Sequence, residues 1–140
     1  MNETNLFHNP NSTPPAILPV LQKLKSAYLL WHEYHLTLPK AHRYSLGQKV
    51  DNLLTETIEA IATAAFLQKQ EKLPYVRRAI QKLDTAKIFL MMLWETKSLD
   101  NKKYCALSVP LNEIGKMLGG WSGQLIKQNS PEKSSGEKRG

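Results

Sequence analysis

The sequence predicts an all-α protein, an antiparallel up-down-up-down four-helix bundle. Three observations carry that reading. Four long segments repeat apolar residues at spacings of three and four, their connections are short and marked by proline, and no segment keeps the period of two that a half-buried strand requires. At 140 residues the chain is long enough for one substantial core and too short for two comfortable ones.

Residues 1–15 are rich in Asn, Ser, Thr and Pro without an apolar period, which predicts a flexible N-terminal arm ahead of a bundle spanning residues 16–128. The first helix enters from about Pro19, a residue tolerated in a first turn because the N–H it lacks would have no helical partner there. Leu21, Leu24, Tyr28, Trp31 and His35 form its apolar stripe, and the helix ends near Leu36 because Pro39 disfavours helical backbone at Leu38. Ser45, with Gln48 three residues on, matches a capping box for the second helix. Its wide apolar face is Leu46, Val50, Leu53, Leu54, Thr57, Ile58, Ile61 and Ala65; it fades around Lys69 to Lys72, and Leu73-Pro74 marks the turn.

The third helix begins near Tyr75, with Val76, Ile80, Leu83, Ala86, Leu90, Leu93 and Trp94 on its core stripe. Its second half, Ile88 to Trp94, is apolar all the way round, whereas an outer helix of a lone bundle keeps one wet face. Either the domain buries this helix centrally or a second subunit covers it. With only four helices to do the covering, the subunit is the better reading, and it puts Ile88, Phe89, Met91 and Met92 at an oligomer interface. Asp100 or Asn101 caps the fourth helix, whose stripe is Tyr104, Leu107, Leu111, Ile114, Leu118, Trp121 and Leu125. Pro110 predicts a kink there rather than an end, since Leu107 and Leu111 keep one phase. On another face Gly115, Gly119 and Gly123 recur every fourth residue. Each glycine inside a helix costs about 1 kcal/mol against alanine, so close contact with a neighbouring backbone is expected, and Gly115 and Gly119 join the interface residues. After Gln128 the composition predicts a disordered tail, residues 129–140.

The formal net charge is +7, and the two ends of the chain, outside residues 15–128, hold three basic against three acidic residues. The excess therefore lies on the folded part, which attracts polyanions: nucleic acid, an acidic protein or an anionic surface. No secretory pattern opens the chain, the longest apolar run is too short to span a bilayer, and one cysteine excludes an internal disulfide, so a cytoplasmic protein with no membrane partner is expected. Cys105 is read as small and structural.

Chemistry is sparse. His32 and His35 lie three apart, but no second helix offers the Glu-x-x-His partner of a di-iron bundle, so no metal and no cofactor is read. No arginine has a histidine four to six residues after it, a spacing used by helix-bundle ribonucleases. There is also no glycine-rich phosphate loop and no nucleophile elbow, and the chain reads as non-enzymatic. What remains is basic. An up-down bundle gathers Lys40, His42, Arg43, Lys97, Lys102 and Lys103 at one end and Lys69, Lys72, Arg77 and Arg78 at the other, with Arg78 and Lys82 one turn apart and Lys87 beyond. Such clusters contact phosphates without reading sequence.

Two segments carry a pattern: Leu38-Pro39-Lys40-x-x-Arg43-Tyr44-Ser45-Leu46-Gly47-x-Lys49-Val50, and Glu113-Ile114-Gly115-Lys116-Met117-Leu118-Gly119-Gly120-Trp121. With the four helices they resemble the family that contains Avd, the accessory variability determinant of diversity-generating retroelements, and proteins encoded in intervening sequences of large-subunit ribosomal RNA genes. The likeness covers about residues 20–127. It implies a homopentameric barrel with a positively charged surface that binds RNA or DNA and a reverse transcriptase. By resemblance, contacts to nucleic acid or polymerase fall at Arg43 and Lys49, within the pattern, and at Lys40; Arg77, Arg78, Lys82 and Lys87 are added on charge. The other readings are an intervening-sequence type of bundle with no polymerase partner, and a helical-bundle metal protein or nuclease.

Overall fold

The computed structural model describes residues 17–130, and every long element within them is a helix. The expected arm at residues 1–15, and all but the first two residues of the expected tail, lie outside the described residues. The four long helices are α1 (Ile17–Leu36), α2 (Leu46–Ala65), α3 (Leu73–Glu95) and α4 (Asn101–Gln128). One helical turn, Lys40–Arg43, lies between α1 and α2, and a short 3₁₀ turn, Lys69–Glu71, between α2 and α3. Each long helix packs on its chain neighbours, and α1 closes the ring against α4.

The connections confirm the alternating direction. His42, between α1 and α2, bonds to Ser98, between α3 and α4, so the first and third connections share one end. At the opposite end Asn129 Nδ2 reaches the Lys69 carbonyl in the second connection. The apolar stripes meet inside: Leu24, Trp31, Val50, Leu54, Ile61, Leu83, Leu90, Leu107, Leu111, Ile114 and Leu118 are buried. A smaller cluster of Ala64, Val76 and Leu125 closes the end at the second connection.

Several local expectations are corrected. Ser45 makes no capping bond; its hydroxyl donates to the Ala41 carbonyl, closing the preceding turn instead. Pro74 is not in the turn but in the first turn of α3, where a missing N–H costs nothing. Trp94 is not core: it is 38 % exposed, its indole lying on Tyr104 and donating to Asn101. Cys105, read as a structural residue, is exposed. The cap of α4 is Asp100, whose side chain accepts from Lys103 N at 2.8 Å, and the helix continues through Pro110 to Gln128.

The glycines also divide. Among the described residues nothing lies within 4 Å of where a Cβ would stand on Gly119, Gly120 or Gly123, so the contact expected along that face is not made by the other helices of the bundle. At Gly115 the only near atoms are the Lys87 ammonium and the Leu83 side chain. Gly47 is the glycine the fold requires. A Cβ there would stand 2.7 Å from Leu38 Cδ1, 2.9 Å from His35 Cδ2 and 3.0 Å from the His42 carbonyl.

Candidate nucleic-acid interface

The end of the bundle that carries the first and third connections is built from the interior outward. Trp31 is fully buried and its indole N–H needs an acceptor; Asp51 Oδ1, on α2, supplies it at 3.1 Å and also accepts the Tyr28 hydroxyl at 2.8 Å. Burial first, then the bond to Asp51 and its negative charge, push the Tyr28 phenol up to about 12. His35 stacks on Trp31, with ring centres 5.0 Å apart, and its Nε2 lies 2.9 Å from the Arg43 carbonyl, an acceptor, so Nε2 carries the proton. A core tryptophan thus positions the histidine that grips the first connection.

The connection is pinned at three further points. Arg43 turns back and donates from Nε and Nη2 to the Leu38 carbonyl at 3.2 and 3.0 Å. Leu38 is itself buried, and the tight approach at Gly47 seats α2 against it. The bond from His42 to Ser98 ties this loop to the third connection. What the pinned loop leaves outside is Lys40, exposed and without a partner among the described residues, and Tyr44, 70 % exposed with the Arg43 guanidinium 5.9 Å from its ring centre. Lys49, in the first turn of α2, is exposed and makes no side-chain bond within the described residues.

The third connection adds charge by a different device. Lys97 has φ of 67°, the left-handed conformation that ends a helix and usually belongs to glycine. Its N–H bonds to the Trp94 carbonyl, and Ser98 N bonds to the Leu93 carbonyl at 2.8 Å, the paired bonds that satisfy the last carbonyls of α3. Lys102 is exposed, and the Lys103 ammonium sits 5.3 Å above the Tyr34 ring centre.

The other basic residues are placed differently. Lys72, expected in the opposite cluster, is 7 % exposed: its ammonium donates to the Ala64 and Ala65 carbonyls at 2.7 and 3.4 Å, capping α2, and burial lowers its pKa. Lys82 is held by Glu56 at 2.9 Å, and Lys87 by Asp84 at 3.8 Å. Arg78 lies over the Tyr75 ring in a cleft that also contains Glu56 and Glu59, whose charge opposes an incoming phosphate. Of the helix-three group, only Arg77 is both exposed and without a partner among the described residues. Sequence reasoning brought Lys40, Arg43 and Lys97 to one end correctly. It missed Tyr44, although the residue stood inside the quoted pattern, because a single tyrosine off the apolar stripe gives no periodic signal.

On the presumed interface face, Ile88 is 53 % and Met92 37 % exposed, while Phe89 and Met91 are half-buried. The two histidines weighed for metal are engaged separately, His32 stacked on Tyr28 and His35 in the loop clamp. Among the described residues no three His, Cys, Asp or Glu side chains converge as a metal site, and no helix is long and apolar enough to cross a membrane. Compared with known proteins, the chain matches no family model, no curated protein and no solved structure.

Proposed function

We propose that the chain is a non-enzymatic accessory protein of a diversity-generating retroelement, working in the cytoplasm. Copies of the bundle assemble into a homopentameric barrel that holds RNA or DNA by phosphate contacts and presents it to a reverse transcriptase, which performs all the chemistry. The observation that carries the reading is the segment Leu38 to Val50. It bears the pattern shared with the Avd family, and its fixed loop leaves Lys40, Lys49 and part of the Arg43 guanidinium free toward solvent. Support for assembly comes from Ile88 and Met92, apolar and uncovered on the outer side of α3, and from Gly119, whose helical cost no contact within the chain repays.

Two measurements test it. Light scattering should give a mass near five protomers, and a clean monomer refutes the barrel. Gly119→Ala should raise the helical stability of the protomer by about 1 kcal/mol yet weaken the assembly, because the added methyl meets nothing within its own chain. For the nucleic-acid part, about four phosphate contacts to a single strand correspond to about a 50-fold loss of affinity between about 50 and 200 mM salt. Affinity indifferent to salt removes the phosphate-contact proposal, and nucleic-acid binding without capture of a reverse transcriptase leaves the intervening-sequence type of protein.

A further inference from the structure

Tyr44 is the most exposed large apolar or aromatic side chain among the described residues, at 70 %, and none of those residues bonds its hydroxyl. The backbone on either side of it is nevertheless held. The residue before it is fixed by two bonds from its own side chain to Leu38 and by the His35 contact with its carbonyl, and the residues after it enter α2 over Gly47, where no side chain fits. Trp94 at the same end differs in that Tyr104 stacks on it and Asn101 takes its N–H, whereas the Tyr44 ring carries only the Arg43 guanidinium among the described residues, 5.9 Å from its centre.

Arg43 lies over the Tyr44 ring, and further cations share this end of the bundle. Two of the five Arg43 N–H groups are used on Leu38, leaving three for an outside acceptor. Lys40, on the same loop, has no partner among the described residues, and Lys97 stands across the tie between His42 and Ser98 in a backbone conformation that a lysine adopts at a cost. An open ring face flanked by unpaired cations is the combination that takes a base and the phosphates on either side of it. A duplex cannot use such a ring, because its bases are already stacked on one another.

We propose that this end of the bundle binds single-stranded nucleic acid, one base stacking on Tyr44 while Lys40, Arg43 and Lys97 hold the adjacent phosphates. The proposal rests on the nucleic-acid reading above and narrows it to the single strand and to one residue. Because the loop is pinned before the ligand arrives, little ordering is required on binding.

The test uses the full chain with a fluorescent oligouridylate and with a duplex of the same length, titrated by anisotropy at several salt concentrations. The single strand should bind more tightly than the duplex. Tyr44→Ala should weaken single-strand binding by about tenfold with the salt slope unchanged, and Tyr44→Trp should restore it. Lys40→Glu with Lys97→Glu should reduce the salt slope. Light scattering on each variant should match the unaltered chain; a changed assembly in Tyr44→Ala would make Tyr44 a subunit contact and overturn the proposal. Single-strand affinity unaltered in Tyr44→Ala, or equal affinity for the duplex, overturns the stacking role and leaves the general reading standing. Binding of neither polymer overturns both.

Discussion

The two ends of the bundle start from similar sequence and arrive at opposite arrangements. Each end joins helices through a short connection containing lysines. Where the first and third connections meet, side chains from the interior reach outward to fix the loop: His35 holds the Arg43 carbonyl, Arg43 holds Leu38, and Lys40, Lys97 and Lys102 are left in water without carboxylate partners. Where the second connection meets the end of α4, a charge turns inward, with the Lys72 ammonium buried on the last carbonyls of α2. The same residue type is solvent-facing at one end and a helix cap at the other. Net charge therefore locates neither role. What distinguishes them is whether unsatisfied carbonyls lie within reach of the ammonium, and at the C-terminus of α2 they do.

The largest way to break the contrast is from inside. Trp31→Ala removes a fully buried indole and should cost about 3–5 kcal/mol in chemical denaturation. It also removes the surface on which His35 stacks, so amide exchange across residues 40–45 should accelerate more than across residues 66–72. Equal acceleration at both ends would show that the tryptophan does not support the loop.

Next in size is a paired substitution. Lys72→Met should destabilise by about 1–2 kcal/mol, because the terminal carbonyls of α2 lose a charged donor. Lys102→Met, at an exposed lysine without a partner, should stay within about 0.5 kcal/mol. If the two variants melt together, the distinction drawn between inward and outward lysines is wrong.

Lys97→Gly relieves the left-handed backbone and should stabilise by about 1 kcal/mol. The same change should weaken nucleic-acid binding, and a gain in stability with no loss of binding would take Lys97 out of the interface. The smallest effect is in the titration of Tyr28. Below pH 10 its contribution is whole; as pH rises from 10 through about 12 the unfolded chain releases the phenol proton while the folded one keeps it, so that contribution is lost. Burial, the largest cause of the rise, persists in Asp51→Asn, while the carboxylate's bond and charge are removed, so tyrosinate absorbance should show Tyr28 titrating below about 12 but still above 10.

Much of this was legible in advance. Leu24, Leu54, Leu83 and Leu111 could be assigned to the interior because burial of apolar stripes is additive along a helix and repeats with its period. Helix ends were legible where proline constrains the backbone, as at Pro39, and less so at Pro74, since one residue can stop a helix or open the next. Gly47 stood in the quoted pattern without a stated reason, and the reason is the approach of Leu38 and His35 from a different helix end. Trp94 sat in phase with the core and still came out half in water, because Asn101 offered its N–H a partner outside.

The sequence by itself determined the number of helices, their inward faces and the confinement of the positive charge to the bundle, all of which follow from composition and local period. Only the tertiary structure decided which lysines cap carbonyls and which stay free, that Asp51 serves both Tyr28 and Trp31, and that Tyr44 is held out from a rigid corner. The reason is geometric. Periodicity says which side of a helix avoids water, whereas a polar group's role depends on which acceptor or donor another segment brings within about 3 Å, and no linear spacing encodes that.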